Sequence, residues 1–355
     1  MNLYQNDLYM EDIRYTADLD LPWEKLCGKV MLLSGATGLL GSFLTDVIME
    51  KNLNDNLNCG IYALCRNEEK ANKRFSKYCG DKHIVFIHHD FNDVNKISID
   101  GTDTADYVIH LASNTHPMQY SLDPIGTVTT NIIGTKTMLE FAAKCKASRF
   151  VFASSNEIYG ENRGDTEFFD ENYCGYINCN TLRAGYPESK RCGEALCQAY
   201  KAQKELDIVI PRFTRSYGPT MLMSDTKAIS QFIKKAISGE NIVLKSSGTQ
   251  YYSYAYVADS IKGLLTVLLK GKNGEAYNIA EEHSDIMLKG LAEIIAELSG
   301  SKVVYGIPDA VETIGYSTAT KARLDGRKIQ KLGWIPKYNI ESGIRRTIDI
   351  LKNNI

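Results

Sequence analysis

From Lys29 onward, short apolar runs alternate with stretches whose apolar residues recur at helical spacing. Residues 30–33 are an unbroken apolar run, as a strand buried on both faces requires. After a glycine-rich turn, Leu40, Phe43, Leu44, Val47 and Ile48 share one face of a helix predicted over 39–51. The pattern then predicts a strand at 61–65, a charged helix at 68–78, and strands at 84–87, 107–111 and 150–153, with a long helix around 131–144 before the last. Regular alternation of this kind predicts an α/β fold, a doubly wound parallel sheet with helices on both faces.

Beyond about residue 170 the rhythm changes. A helix at 187–204 and a strand at 208–211 are followed by irregular segments and helices at 230–238, 257–269, 288–298 and 342–352. These pieces predict a smaller, discontinuous C-terminal α/β domain over the carboxyl ends of the strands, where open α/β sheets bind ligands. The expected divisions are an N-terminal extension over 1–28, a dinucleotide-binding domain over 29–185 to which later segments return, and a mostly substrate-binding part over 186–355. The extension is polar and acidic; its Tyr, Asp and Leu content with Leu21-Pro22-Trp23 suggests a segment packed back on the body, but the preferred reading is a surface arm or dimer contact.

Composition narrows the function classes. With 44% hydrophobic residues the chain can bury a core, which excludes disorder over most of its length. Its apolar runs, such as 263–269, fall short of the roughly 18 residues of a membrane span. The 41 basic and 43 acidic residues leave no basic excess for nucleic acid. Residues 1–21 lack the apolar centre of a signal peptide. The nine cysteines include no C-x-x-C pair and the six histidines no H-E-x-x-H, so a cytoplasmic protein with reduced thiols and no metal is expected.

The turn Ser34-Gly35-Ala36-Thr37-Gly38-Leu39-Leu40-Gly41 joins a predicted strand to a predicted helix. Its G-x-x-G-x-x-G spacing suits a Rossmann-type dinucleotide site. Gly35 makes the tight turn, Gly38 admits a pyrophosphate, Gly41 lets helix and strand pack, and the helix N-terminus supplies free N–H groups. At the end of the second strand, where an acid would hold the ribose hydroxyls of NAD, the chain has Arg66, which favours NADP while leaving NAD open. Asp90 and Phe91 are placed to meet the adenine edge.

Tyr186 and Lys190, four residues apart at a helix start, share one face. A neighbouring ammonium and an oxidised nicotinamide would favour the phenolate, making Tyr186 a base for a substrate hydroxyl. Ser155, just past the fifth strand, could hydrogen-bond the same oxygen.

With His110-Leu111-Ala112-Ser113, Asn131-Ile132-Ile133-Gly134-Thr135, Ala153-Ser154-Ser155-Asn156-Glu157-Ile158-Tyr159-Gly160, Tyr217-Gly218-Pro219 and Leu332-Gly333-Trp334, the chain from Lys29 to Ile355 resembles the extended short-chain dehydrogenases/reductases. Within them it is similar to the NAD-dependent epimerase/dehydratase family of nucleotide-sugar enzymes, most of all to UDP-glucuronate decarboxylases. The resemblance implies that Ser155, Tyr186 and Lys190 form the catalytic triad with Asn131 in support, that Glu157 is an acid/base, and that Glu188 is a carboxylate typical of the decarboxylases. It adds Thr37, Leu39, Leu40, Leu111, Ala112 and Ser113 to the cofactor site. It implies a homodimer acting on a nucleotide-diphosphate sugar.

The implied chemistry is transient oxidation of the sugar at C4 by bound NAD(P). Decarboxylation is the first expectation, C4 epimerisation the alternative, and 4,6-dehydration the third. The dehydratases with an Asp-Glu pair use the Asp to protonate the leaving hydroxide; Asn156-Glu157 stands here, and an amide supplies no such proton. A reading from another class, a dinucleotide-sensing regulator without turnover, is opposed by the intact Ser155/Tyr186/Lys190 set.

Two departures from the family pattern fall in the substrate-binding set of Asn156, Arg215, Gln250, Tyr252 and Arg323. Arg215 stands where the family has Asn, and Tyr252 where it has a diphosphate-binding Arg. The expectation is that Arg215 takes over the diphosphate, with Arg323 as a second clamp.

Overall fold

A computed structural model describes residues 2–91, 97, 104–309, 313, 316–317 and 319–353. The strands are β1 (Val30–Ser34), β2 (Gly60–Cys65), β3 (Ile84–His88), β4 (Tyr107–His110), β5 (Arg149–Phe152), β6 (Ser154–Ser155), β7 (Ile208–Phe213), β8 (Arg215–Tyr217), β9 (Ile242–Leu244), β10 (Tyr251–Tyr256), β11 (Ala276–Ile279), β12 (Asp285–Met287), β13 (Val303–Tyr305) and β14 (Lys321–Ala322). The main sheet runs β11-β7-β5-β4-β1-β2-β3, with the short β6 also on β7. Among the described residues its strand pairings are all parallel. The order reverses between β1 and β4, and a crevice opens at the carboxyl ends of strands flanking such a reversal.

Alternate residues of β1 serve opposite layers. Leu32, with Val108, Phe150 and Ile208, packs against Met138 and Leu139 of helix α5 (Pro124–Lys144) and Cys197 of α6 (Gly185–Lys204). Met31 and Leu33, with Ile109 and Val151, face the core shared by α2 (Leu39–Asp55) and α8 (Val257–Lys270). Helix α5 starts earlier than its apolar spacing indicates, because Asp123 caps it by accepting from Gly126 N at 2.9 Å and Pro124 occupies its first turn. Strands β7 and β11, from the C-terminal half of the sequence, complete the main sheet. A smaller sheet, β12-β10-β14 with β8 on β10, stands at the carboxyl ends. No helix of the described residues is long and apolar enough to cross a membrane.

The N-terminal residues correct the expectation of a surface arm. They form α1 (Asp7–Ala17), whose Tyr9 and Ile13 are fully buried. Asp12, also inside, accepts from the Tyr256 hydroxyl at 2.6 Å and the Tyr338 hydroxyl at 2.5 Å, with Arg346 Nε at 2.7 Å. Asp46 of α2 accepts from Tyr9, from Tyr4 at 2.9 Å and from Arg74 at 2.6 Å. Burying charge is tolerable only when it is paired. The acids that make this segment look like an exposed arm are the ones with partners inside.

Candidate active site

The loop from β1 into α2 forms one wall of a cleft of about 600 Å³ at the carboxyl ends of the strands. Gly35 has φ +73°, and a Cβ there would lie 2.8 Å from the Ala112 nitrogen. At Gly41 a Cβ would meet the Gly35 carbonyl oxygen at 2.2 Å. Backbone on both sides cannot give way, so neither position takes a side chain without opening the turn. Gly38 caps α2, and Thr37, Gly38, Leu39 and Leu40 line the cleft, so the positive end of a long helix faces it. This cradle fits a dinucleotide pyrophosphate. Arg66 is exposed at the rim after β2, while Asp90, Phe91, Leu111, Ala112 and Ser113 line the cleft after β3 and β4.

Opposite the loop lies the start of α6. Tyr186 and Lys190 are both buried, one turn apart, and line the cleft with Ser155. Burial pushes the Tyr186 phenol up to about 12, against the pull of the Ser155 hydroxyl. It pushes the Lys190 ammonium down to about 8. That ammonium donates to the Ala153 carbonyl at 2.8 Å. Desolvation is the dominant influence on the phenol and outweighs the Ser155 hydrogen bond. Burial also brings His110, which bonds Ser34 Oγ through Nδ1 at 2.7 Å, down to about 3, with the Lys190 charge acting in the same direction. Asn131 accepts from Ser113 Oγ at 2.7 Å and donates to Ser189 Oγ at 2.8 Å, joining α5, α6 and the β4 end.

Of the expected substrate residues, Asn156, Arg215, Gln250 and Tyr252 line the cleft, as does Glu157. Two expected residues do not. Glu188 lies outside the lining and pairs with Arg191, one turn along the same helix, at 3.1 Å. Arg323 also lies outside; it donates to Glu167 at 2.6 Å and is held against the Phe168 and Tyr251 rings, 4.4 and 4.5 Å from their centres.

The structure adds two residues that spacing alone did not reveal. The Tyr120 ring stacks on Tyr186, with 5.1 Å between centroids. The Arg183 guanidinium lies 4.8 Å from the centre of Tyr120 and donates to Glu157 at 2.6 Å. The other Glu157 oxygen is 3.9 Å from Arg215, whose guanidinium lies 3.4 Å from the centre of the Tyr252 ring. Arg183 sits in a segment without periodicity, so only tertiary contacts disclose it.

The model of the NAD dependent epimerase/dehydratase family matches residues 31–280. UDP-glucuronic acid decarboxylase 1 of Xenopus tropicalis is 30% identical over 334 residues, 92% of this chain and 73% of the relative. UDP-glucuronic acid decarboxylase 5 of Arabidopsis thaliana is 31% identical over 326 residues, 90% of this chain and 89% of the relative. Among solved structures, the UDP-glucuronic acid 4-epimerase of Bacillus cereus, in complex with UDP-glucuronic acid and NAD, superposes with a TM-score of 0.76 at 21% identity, covering 92% of this chain and 100% of that one. The dTDP-glucose 4,6-dehydratase of Streptomyces venezuelae, with NAD bound, gives a TM-score of 0.76 at 23% identity, over 92% and 97% of the two chains. With a glycine cradle at one end of the cleft and a buried Tyr–Lys turn at the other, the chain belongs to the NAD dependent epimerase/dehydratase family.

Proposed function

We propose that the protein is a nucleotide-sugar enzyme that uses bound NAD(P) for transient oxidation at sugar C4, and that its reaction is decarboxylation of a UDP-glucuronate-like substrate. The observation that carries this reading is the likeness to UDP-glucuronic acid decarboxylases over nine-tenths of the chain, in which Ser155, Tyr186 and Lys190 face one cleft. Gly35, Thr37, Gly38, Leu39, Leu40 and Gly41 would hold the pyrophosphate, and Asp90, Phe91 and residues 111–113 the adenosine side. Arg66 at the rim supports NADP over NAD, since a guanidinium there can pair with a 2′-phosphate.

When bound, the oxidised dinucleotide supplies a hydride acceptor and a positive ring charge. Tyr186 then takes the proton of the C4 hydroxyl, and Ser155 donates to the same oxygen. Lys190 and Asn131 hold α6 and the strand ends in register around it. A ketone at C4 is β to a C5 carboxylate. Loss of carbon dioxide therefore leaves the electron pair in an enolate whose oxygen the Ser155 and Tyr186 hydroxyls stabilise. Glu157, which lines the cleft, would manage the proton that C5 regains.

A homodimer is part of the proposal, supported by the exposed apolar residues Leu122, Ile125 and Leu182. A cytoplasmic location is supported by nine free thiols. Incubation with UDP-glucuronate and a panel of neutral nucleotide sugars, followed by mass, tests the reaction. Loss of carbon dioxide is expected. Loss of water or an unchanged mass with a shifted retention time would replace decarboxylation by dehydration or epimerisation, and no turnover at all would favour a dinucleotide sensor.

A further inference from the structure

The wall formed by Arg183, Glu157 and Arg215 carries more positive charge than it can use. Two guanidiniums face one carboxylate. Nε and Nη1 of Arg183 and Nη1 of Arg215 are buried with no acceptor among the described residues. Both side chains are mostly buried, at 11% and 17% exposure. A buried charge without a counterion is costly, and removing an acceptor from a buried donor costs more than never having had it. The wall is shared by the main cleft and a side pocket of about 190 Å³, to which Asn156 and Ser317 also contribute.

We propose that Arg183 and Arg215 together receive a carboxylate borne by the sugar ring on the carbon next to the reacting one, so that this pair distinguishes a uronate from a neutral hexose. The proposal rests on the reading of the cleft as a nucleotide-sugar site. Its location follows from connectivity. Glu157 is two residues beyond Ser155, and its backbone N–H donates to the Ser155 hydroxyl at 3.2 Å. The arginines flank this glutamate, and the Tyr186 ring reaches Arg183 through one stacked tyrosine. In a nucleotide sugar reacting at C4, the diphosphate is on C1, across the ring from Tyr186, whereas the C5 substituent is adjacent. The charge agrees as well. One carboxylate balances two guanidiniums and one glutamate, while a diphosphate would bring additional negative charge against Glu157. Stacking on Tyr120 and Tyr252 holds the two guanidiniums in place, so little side-chain entropy is lost on binding.

The test titrates the purified protein, with its dinucleotide, with UDP, UDP-glucose and UDP-glucuronate. The wild type is expected to bind UDP-glucuronate about tenfold or more tightly than UDP-glucose. Arg215→Met is expected to bring that ratio to about one, with UDP and UDP-glucose affinities unchanged. Arg215→Gln carries the same readout should the methionine variant fail to fold. Equal wild-type affinity for the two sugars would overturn the inference alone. So would a loss of UDP and UDP-glucose binding in Arg215→Met as large as the loss of UDP-glucuronate, because the guanidinium would then serve the diphosphate. Failure of all three to bind the wild type would overturn the nucleotide-sugar reading itself, and the inference with it.

Discussion

Lys190 donates its ammonium to the carbonyl of Ala153 across 2.8 Å, and both residues are shut away from water. The contact fastens the first turns of α6 to the strand end that carries Ser155. Desolvation is the cost, and it holds the Lys190 pKa at about 8. An unfolded lysine keeps its proton to roughly pH 10.4, so between these values the unfolded state binds more protons and stability rises with pH. Lys190→Met has no such slope. Its melting temperature relative to wild type is expected to be most favourable below pH 8 and to decline steadily toward pH 10. A difference that stays flat across this range in thermal melts would refute a desolvated Lys190.

Tyr186→Phe keeps the ring stacked on Tyr120 and removes only the hydroxyl. Turnover is expected to fall at least about 10²-fold, the lower end of what positioned proton transfer contributes. Dinucleotide affinity, measured by fluorescence titration, is expected to stay within about twofold, because a single lost neutral hydrogen bond contributes little net binding. Turnover at wild-type rates would remove Tyr186 from the chemistry.

Arg66 stands exposed at the rim of the cleft after β2, and the proposed preference for NADP rests on it. Arg66→Asp is expected to shift preference from NADP toward NAD, since an aspartate accepts from ribose hydroxyls and repels a phosphate. The measurement is the ratio of the two dissociation constants. An unchanged ratio means that Arg66 faces solvent and does not select the cofactor.

Glu157 and Glu188 separate cleanly by location. Glu157→Gln removes the charge to which Arg183 donates at 2.6 Å, and kcat is expected to drop by about tenfold or more, as befits a lost charge-assisted bond. Glu188→Gln disturbs only a half-exposed pair with Arg191 and is expected to leave kcat within about twofold. Steady-state kinetics of both variants decides, and a large loss in the second would return Glu188 to the site.

The parallel strands are legible in the sequence because burial on two faces leaves an unbroken apolar run, as at 30–33 in β1 and 150–152 in β5. The glycine cradle was legible because backbone proximity at Gly35 and Gly41 admits no other residue type. Helix α1 was not, since Asp12 and Thr16 occupy its buried face and their burial depends on distant partners such as Tyr256. Glu188 is a candidate by resemblance to the decarboxylases, although its spacing to Arg191 already offers a local partner. The sequence offers Arg323 as a second clamp from the C-terminal segment; the aromatic rings against which it lies, outside the cleft lining, belong to other segments and leave no local mark. Arg183 and Tyr120 matter through stacking across segments, which leaves no periodic mark.

The Asp12 carboxylate also constrains the order in which the molecule can be completed. Two of its hydrogen-bond donors are Tyr256 and Tyr338, and its cation is Arg346 in the helix Ile340–Lys352. During synthesis α1 leaves the ribosome long before any of them. Until they arrive, burying Asp12 carries the desolvation cost of a carboxylate without these partners, which opposes the seating of α1. Its docking is therefore expected to tighten only on a chain whose late helices are made: a product truncated before Tyr338 keeps the Tyr256 donor but lacks the Tyr338 donor and the Arg346 cation that complete the seat of α1.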